Sequence, residues 1–371
     1  MTYRKLRVII SGGGTGGHIF PAVAIADRLR EVNPGTEILF VGAEGRMEME
    51  KVPAAGYAIE GLPVAGLQRK LLHPANLALP VKLCRSLHRA GRIIKDFRPD
   101  VVIGVGGYAS APVLWKATGK GIPALIQEQN GFAGLTNKLL GRRVGKVCVA
   151  YEGMERFFPA GKIVLTGNPI RSCIHPYTEE ERQAGLAYYG LDAARKHLLV
   201  LGGSLGSGTL NRAMQEWVAA GCPGGEGVEV LWQCGRSYKA GVDAFMAGHP
   251  CENVRHTDFI GRMDWAYAAA DVVISRSGAL SVSEICAAHK AAIFVPSPNV
   301  AEDHQTHNAR ALVRKGAALM LADAQAPQQL LPEATALLRD ENRIRALAAA
   351  AGALARPDAA QEIVNEVYTL V

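Results

Sequence analysis

The chain lacks any long apolar run. Nowhere do about 18 apolar residues follow one another, the minimum for a membrane-spanning helix, so any membrane contact is expected to be peripheral. The one apolar run near the start, Val8–Ile10 after Arg4, Lys5 and Arg7, is too short for a secretory leader. Metal-type cysteine spacing is missing as well. The seven cysteines, at 84, 148, 173, 222, 234, 251 and 286, form no CxxC and no Cys/His cluster. No structural metal is therefore expected, and the scatter fits a reducing compartment. Acidic residues fall short of basic ones, leaving a net charge of +7, which implies an anionic partner or surface. A composition of 49% hydrophobic and 20% charged residues excludes global disorder. At roughly 150 residues per domain, 371 residues imply two domains.

Glycine, by contrast, is plentiful and comes in bursts. The first burst organises the rest: Val8-Ile9-Ile10-Ser11-Gly12-Gly13-Gly14-Thr15-Gly16-Gly17-His18. A short strand runs into a glycine loop, and Ile19–Arg30 reads as a helix. Such a unit aims backbone N–H groups and a helix N-terminus at one point, which suits an anion, most often a phosphate. His18 stands where the loop becomes the helix. With an ordinary pKa of roughly 6.5, an imidazole there is a candidate general base; the plainer reading is a structural helix-start histidine. Gly12-x-Gly14-x-x-Gly17 formally matches the dinucleotide fingerprint. A nicotinamide site also wants an acidic residue ending the second strand, and Glu44 comes late, after Val41-Gly42-Ala43, which disfavours that reading.

Further strands are expected at Ile38–Val41, Ala54–Ile59, Val101–Val105, Ala124–Gln127, Val147–Ala150 and Ile163–Thr166. Val101–Val105 ends in a second glycine loop, Gly104-Val105-Gly106-Gly107-Tyr108, and Ala124–Gln127 is followed by Glu128-Gln129-Asn130-Gly131. Polar residues at the carboxyl end of a parallel strand are where open α/β sheets bind ligands, so Glu128 is the second candidate base. Between Gln68 and Arg98 stand Arg69, Lys70, Lys82, Arg85, Arg89, Arg92, Lys95 and Arg98 against Asp96 alone. Leu79, Leu83, Leu87 and Ile94 recur near helical spacing and should face the core. Leu71, Leu72 and Leu77 lie off that stripe. The stretch reads either as a solvated basic helix or as a docking surface for anionic lipid, with these leucines dipping in beside Lys82, Arg85 and Arg89.

Gly167-Asn168-Pro169-Ile170-Arg171 reads as a joint, after which the pattern restarts. His197–Leu201 is a strand, Gly202–Gly208 its glycine loop and Thr209–Ala220 its helix. Domains are expected at 1–168 and 169–355, with 356–371 carrying a last helix, Ala360–Leu370, that packs back. Two similar α/β halves imply a cleft between them. In the second half Asp271–Ser275 delivers Ser275-Arg276-Ser277-Gly278-Ala279-Leu280-Ser281-Val282-Ser283-Glu284 to a helix over Leu280–Ala288. A helix N-terminus with a carboxylate further along describes a pocket for a nucleoside diphosphate, the carboxylate accepting from the ribose diol. The alternative is a Ser-Gly cap with Glu284 in solvent. Asp303-His304-Gln305-Thr306 follows the strand Ala291–Pro296, with the next helix starting near Asn308. Gln305 can pair with sugar hydroxyls. His304 and His307 have no third ligand nearby, so no metal is expected there.

Taken in order, Gly12–His18, Gly104-x-Gly106-Gly107-Tyr108, Glu128-Gln129-Asn130, Gly167-Asn168-Pro169-x-Arg171, Gly202-Gly203-Ser204 and Ser275–Glu284 resemble the MurG family of bacterial lipid II synthases. The resemblance implies an α/β protein of the GT-B glycosyltransferase fold, two Rossmann-like domains facing across a cleft, with the C-terminal helix on the first. It implies inverting transfer of N-acetylglucosamine from UDP-N-acetylglucosamine to the C4 hydroxyl of lipid I, the undecaprenyl-linked N-acetylmuramyl pentapeptide. It implies no metal or other cofactor and no nucleic-acid partner, helix N-termini carrying the charge of the leaving UDP. Carried over, Arg171, Ser204, Ile260, Ala279, Leu280, Ser281, Val282, Ser283 and Glu284 hold the donor nucleotide. Ile260 meets uracil through its backbone, Ser204 the phosphates and Glu284 the ribose. Asn130, Gln305, Thr15, Gly16 and Gly17 lie about the sugar. Gly12, Gly13, Gly14, Gly104, Gly106, Gly107 and Tyr108 hold the acceptor diphosphate. His18 is the base, with Glu128 sharing that role or not. The basic stretch then sits on the anionic inner leaflet, at the cytoplasmic face of the cell membrane. One departure is Thr306, where some members carry a second glutamine.

Two other readings share the architecture. A UDP-N-acetylglucosamine 2-epimerase needs no lipid acceptor and leaves the Gly104–Tyr108 loop and the basic stretch unexplained. A non-catalytic nucleotide-sugar-binding subunit would show no turnover by itself.

Overall fold

The computed structural model describes residues 3–64, 79–203, 205–300 and 303–371. Leu71, Leu72, Leu77 and Ser204 lie outside the described residues. The chain divides into two compact units, Met1–Ile170 with Pro357–Val371, and Arg171–Arg356.

The first unit alternates strand and helix: β1 (Arg7–Ser11), α1 (Gly16–Val32), β2 (Glu37–Ala43), α2 (Glu48–Ala54), β3 (Ala58–Leu62), α3 (Leu79–Phe97), β4 (Val101–Gly104), α4 (Ser110–Gly119), β5 (Ala124–Glu128), α5 (Leu135–Leu140), β6 (Lys146–Val149) and β7 (Ile163–Leu165). The strands form one parallel sheet in the order β3-β2-β1-β4-β5-β6-β7. Val8, Ile9, Ile10, Val101, Val102, Ile103, Leu125 and Ile126 are fully buried, because helices cover both faces of such a sheet and its strands read as unbroken apolar runs. Strand order reverses between β1 and β4, the place where open α/β sheets leave a crevice at their carboxyl edge. Both glycine loops of this unit follow those two strands.

The second unit repeats the plan: α6 (Glu179–Tyr189), β8 (Lys196–Leu201), α7 (Gly208–Ala219), β9 (Val228–Gln233), α8 (Lys239–Gly248), β10 (Val254–Thr257), α9 (Met263–Ala269), β11 (Val272–Ser275), α10 (Ala279–Ala287), β12 (Ala291–Phe294), α11 (His304–Val313), β13 (Leu319–Met320), α12 (Ala326–Leu338) and α13 (Glu341–Ala353). Its parallel sheet runs β10-β9-β8-β11-β12-β13, with the reversal between β8 and β11. The last helix, α14 (Ala359–Thr369), belongs to the first unit. Ile363, Val364 and Val367 are fully buried there, in one core with Ile25 and Leu29 of α1, each side chain stabilising the docking by roughly 1.5–3 kcal/mol.

Three expectations change. The third strand starts at Ala58, not Ala54, because α2 runs through Ala54 and Gly56 turns the chain at φ 82°. Asp303-His304-Gln305-Thr306 is the start of a helix: α11 begins at His304, well before Asn308. In α3 the apolar stripe does not all face inward. Ser86, Ala90, Ile93 and Ile94 are buried and Leu87 is half-buried, but Leu83 is 51% exposed and Val81 55%. Among the described residues nothing covers residues 80–85 of that helix, so spacing alone overstated its buried length. No helix among the described residues is long and apolar enough to cross a membrane.

Candidate active site

In the first unit β1 delivers Ser11, whose hydroxyl lies 3.0 Å from the carbonyl of Val41 and 3.2 Å from that of Ala109. The loop beyond it is pressed onto the loop after β4. A Cβ on Gly107 (φ 82°) would fall 2.4 Å from the Gly13 carbonyl oxygen, so only glycine lets the loops meet. A Cβ on Gly106 (φ 94°) would fall 2.8 Å from Cδ2 and Nε2 of His18. The imidazole thus lies on the second glycine loop. Its Nδ1 is 3.2 Å from the Thr15 hydroxyl. Thr15 occupies the N-cap of α1 without a side-chain capping bond, so its hydroxyl serves the imidazole instead of the helix.

Two of the six glycines assigned to an acceptor diphosphate, both in the first loop, already spend their amides inside the fold. Gly12 donates to the Val41 carbonyl at 3.3 Å, and Gly14 donates to Glu48 Oε2 at 2.9 Å. The first-turn amides at Gly16 and Gly17 have no intrahelical acceptor. Tyr108 is exposed beside them in sequence with the second loop.

The carboxyl end of β5 is a polar network. Glu128 is 2% exposed. Its carboxylate accepts from Asn137 Nδ2 at 3.0 Å, the Gly134 amide at 3.0 Å and the Asn130 amide at 3.1 Å. Burial nevertheless pushes this carboxyl above its ordinary range. Glu128, the second candidate base, has its carboxylate turned into its own loop. Gln127 donates to Asn168 Oδ1 at 2.9 Å, Asn168 donates to the Gln129 carbonyl at 3.0 Å, and Gln129 donates to the Val105 carbonyl at 2.8 Å. The Gly-Asn-Pro joint therefore fastens the turn that carries Asn130. No sequence pattern marked Asn137 or Glu48.

In the second unit the Ser277 hydroxyl donates to the Gln305 carbonyl at 2.9 Å, and Asn308 donates to the Ser277 carbonyl at 3.2 Å. These bonds tie the start of α11 to the start of α10. Gly278 is the N-cap of α10, as the Ser-Gly alternative has it, but Glu284 is not in solvent. Ala279 and Val282 are buried, and the Ser283 hydroxyl donates back to the Ala279 carbonyl at 3.0 Å. Glu284, 7% exposed, accepts on Oε1 from Nε (2.9 Å) and Nη2 (2.8 Å) of Arg171. Its Oε2 accepts from the fully buried Tyr267 hydroxyl at 3.3 Å. Two residues assigned separately to the donor thus meet each other, and Tyr267, in an unremarkable short helix, joins them. Burial, then the Glu284 charge, pushes the Tyr267 phenol well above its ordinary value.

Gln305 Oε1 accepts from the Ser297 amide at 2.8 Å, and the Thr306 hydroxyl donates to Asp303 Oδ1 at 2.6 Å. The departure at Thr306 therefore closes the start of α11. Ile260 lines a cavity of about 300 Å³ with Tyr188, Tyr189, Arg255 and Phe259. Arg276 donates to the Val295 carbonyl at 2.9 Å and pairs with Asp323, which also takes the Thr209 hydroxyl at 3.0 Å. Among the described residues no three His, Cys, Asp or Glu side chains gather as a metal site requires.

Comparison with known proteins finds two family domains in order along the chain. Residues 8–149 match the glycosyltransferase family 28 N-terminal domain, and residues 197–363 match the family 28 C-terminal domain. A relative from Parabacteroides distasonis, named UDP-N-acetylglucosamine–N-acetylmuramyl-(pentapeptide) pyrophosphoryl-undecaprenol N-acetylglucosamine transferase, is 51% identical over 99% of both chains. The crystal structure of Acinetobacter baumannii MurG superposes with a TM-score of 0.77 at 30% identity, covering 99% of this chain and 100% of that one. A UDP-GlcNAc 2-epimerase from Neisseria meningitidis shares the fold, with a TM-score of 0.68 at 13% identity over 99% of this chain and 100% of that one. Two parallel-sheet Rossmann-like units, family profiles in order on both, and a half-identical relative along the whole length lead to one conclusion: the chain belongs to glycosyltransferase family 28, in the GT-B fold.

Proposed function

We propose that the protein transfers N-acetylglucosamine from its UDP donor to the C4 hydroxyl of undecaprenyl-pyrophosphoryl N-acetylmuramyl pentapeptide, with inversion, giving lipid II for peptidoglycan synthesis. The observation that carries this reading is the full-length relative at 51% identity, whose name states that donor and that acceptor. His18 takes the proton from the acceptor hydroxyl. The reading requires the tautomer in which Nδ1–H donates to the Thr15 hydroxyl, 3.2 Å away, which puts the lone pair on Nε2. Glu128 holds the Asn130 turn and leaves the base role to His18, since its oxygens already accept from four N–H donors, of Gly134, Asn137 and both the backbone and side chain of Asn130. The first-turn amides of α10 stabilise the charge on the leaving diphosphate. When the donor binds, Glu284 exchanges Arg171 for the ribose diol and the guanidinium turns to a phosphate. Labelled N-acetylglucosamine transfer to a short-chain lipid I analogue, run with EDTA, tests the reaction. Product is expected. A 2-epimer formed from donor alone, without transfer, would replace this reading by the epimerase.

The same reading places the protein at the cytoplasmic membrane face, where its lipid acceptor lies. Exposed apolar residues support this: Val81 and Leu83 on α3, Trp115 on α4, Leu135 and Leu139 on α5. Helix α3 packs on α4 and α4 on α5, and Lys82 and Arg85 of α3 are exposed. Arg89 contributes less, being paired with Glu44. Reversing Lys82 and Arg85 to Glu should weaken sedimentation with anionic vesicles at low salt; unchanged partitioning would remove the docking proposal.

A further inference from the structure

We propose that Glu48 is a positioning residue for transfer: it grips the glycine loop from beneath and so sets the ring of His18. This rests on His18 being the base. Glu48 opens α2 and is 1% exposed. Each of its oxygens takes one backbone amide, Oε1 that of Ala43 at 3.0 Å and Oε2 that of Gly14 at 2.9 Å. The backbone is shaped around it. A Cβ on Gly13 would fall 2.1 Å from Glu48 Oε1, and one on Gly42 would fall 2.6 Å from its Cγ. Burying a carboxylate is costly unless its oxygens are satisfied. An apolar side chain of similar size would fill the volume without that cost.

What an apolar side chain cannot do is hold the end of β2 and the tip of the glycine loop at once. That takes one group with two acceptors. Glutamine offers one acceptor oxygen and turns an NH2 against the second amide. The grip reaches His18 through one residue. Gly14, held at φ 90°, is followed by Thr15 in an extended conformation (φ −146°, ψ 158°), whose hydroxyl lies 3.2 Å from His18 Nδ1. On the far side the ring lies against Gly106. A shift at Gly14 therefore moves Thr15, and with it the imidazole.

The test is steady-state kinetics of the full-length protein with UDP-N-acetylglucosamine and a short-chain lipid I analogue, for wild type, E48Q, E48A, H18A and H18A/E48Q. E48Q is expected to lower kcat about 10-fold and E48A about 100-fold, the scale of a misplaced catalytic group. Donor KM is expected to stay within about twofold for both, because the loss lies in the transition state. The cycle decides. In the H18A background E48Q should cost less than about twofold, because the group that Glu48 positions is gone. The full E48Q loss repeated on top of H18A would overturn the proposal, as would wild-type kcat in E48Q. Wild-type turnover by H18A alone would instead remove the His18 reading, before any Glu48 variant is made. If E48A does not fold, E48Q and the cycle still decide.

Discussion

Three carboxylates stand near the carboxyl edges of the two sheets, and the two units hold them differently. In the first unit Glu48 and Glu128 accept mainly from main-chain amides, at Gly14, Ala43, Gly134 and Asn130, with Asn137 adding a side-chain amide. In the second, Glu284 accepts from a guanidinium whose side chain is 46% exposed, and from a buried tyrosine. Main-chain amides cannot leave without refolding a loop. A half-solvated arginine can rotate away without refolding a loop, provided a ligand's donors replace it on the buried carboxylate. One residue type is thus scaffolding in one unit and exchangeable in the other. The ribose role proposed for Glu284 requires the exchangeable kind.

The sharpest way to break that comparison is Glu284→Ala. Two ribose hydrogen bonds to a charged group, at about 1.5–3 kcal/mol each, come to about 3–6 kcal/mol, so the donor KM should rise at least about 100-fold. Acceptor KM should hardly move. Steady-state kinetics with each substrate varied in turn reads both. A stability loss with an unchanged donor KM would place Glu284 among the fixed carboxylates.

The sequence carried the parts of this picture that depend on local order. Apolar runs such as Val101–Ile103 and Ile274 with its neighbours mark strands buried on both faces, and glycine bursts mark the loops after them, so the doubled α/β plan is readable by eye. Glu284 and Arg171 were each identified by the motifs they sit in, but 113 residues separate them and no pattern says that they pair. Glu48 lies in Met47-Glu48-Met49-Glu50, where two glutamates look alike; which one is buried depends on how β2 and the glycine loop stack, a tertiary fact. Leu83 fails for the converse reason. Helical spacing predicts a face, but burial needs a neighbour on that face.

Glu128→Gln probes the fixed class, with a smaller effect. The amide NH2 would confront donors at Gly134 or Asn137, leaving at least one buried N–H unsatisfied at about 1–3 kcal/mol. The expected readout is a lower midpoint in urea with an unchanged slope. Transfer activity should fall no further than the Asn130 turn is disturbed. If the variant is fully stable but inactive, Glu128 acts in the chemistry and the assignment to scaffolding fails.

The smallest effect is in pH dependence, and here the two units differ in sign. Burial raises the Glu128 carboxyl above its ordinary 4.5. From about that pH upward, until the raised folded value is passed, the folded state keeps a proton that the unfolded chain has released. The stability this contributes is therefore full below 4.5 and is lost as pH rises through the folded value. Asp271 in the second unit is also buried, which by itself raises its pKa. The hydrogen bond from His197 and the charge of Arg182 outweigh burial and hold it below its ordinary 3.8. Its contribution is present above 3.8 and is lost as pH falls through the lowered value. The two windows lie on opposite sides of pH 4, so urea unfolding of wild type, E128Q and D271N across pH 3 to 7 separates them. The penalty of E128Q should grow as pH is lowered from 7 toward 4.5, whereas that of D271N should shrink only in more acidic solution. A penalty of E128Q that stays flat from pH 7 to 4.5 and shrinks only below it would mean that its N–H donors outweigh burial, and that the first unit's carboxylate is held in its charged form like the second's.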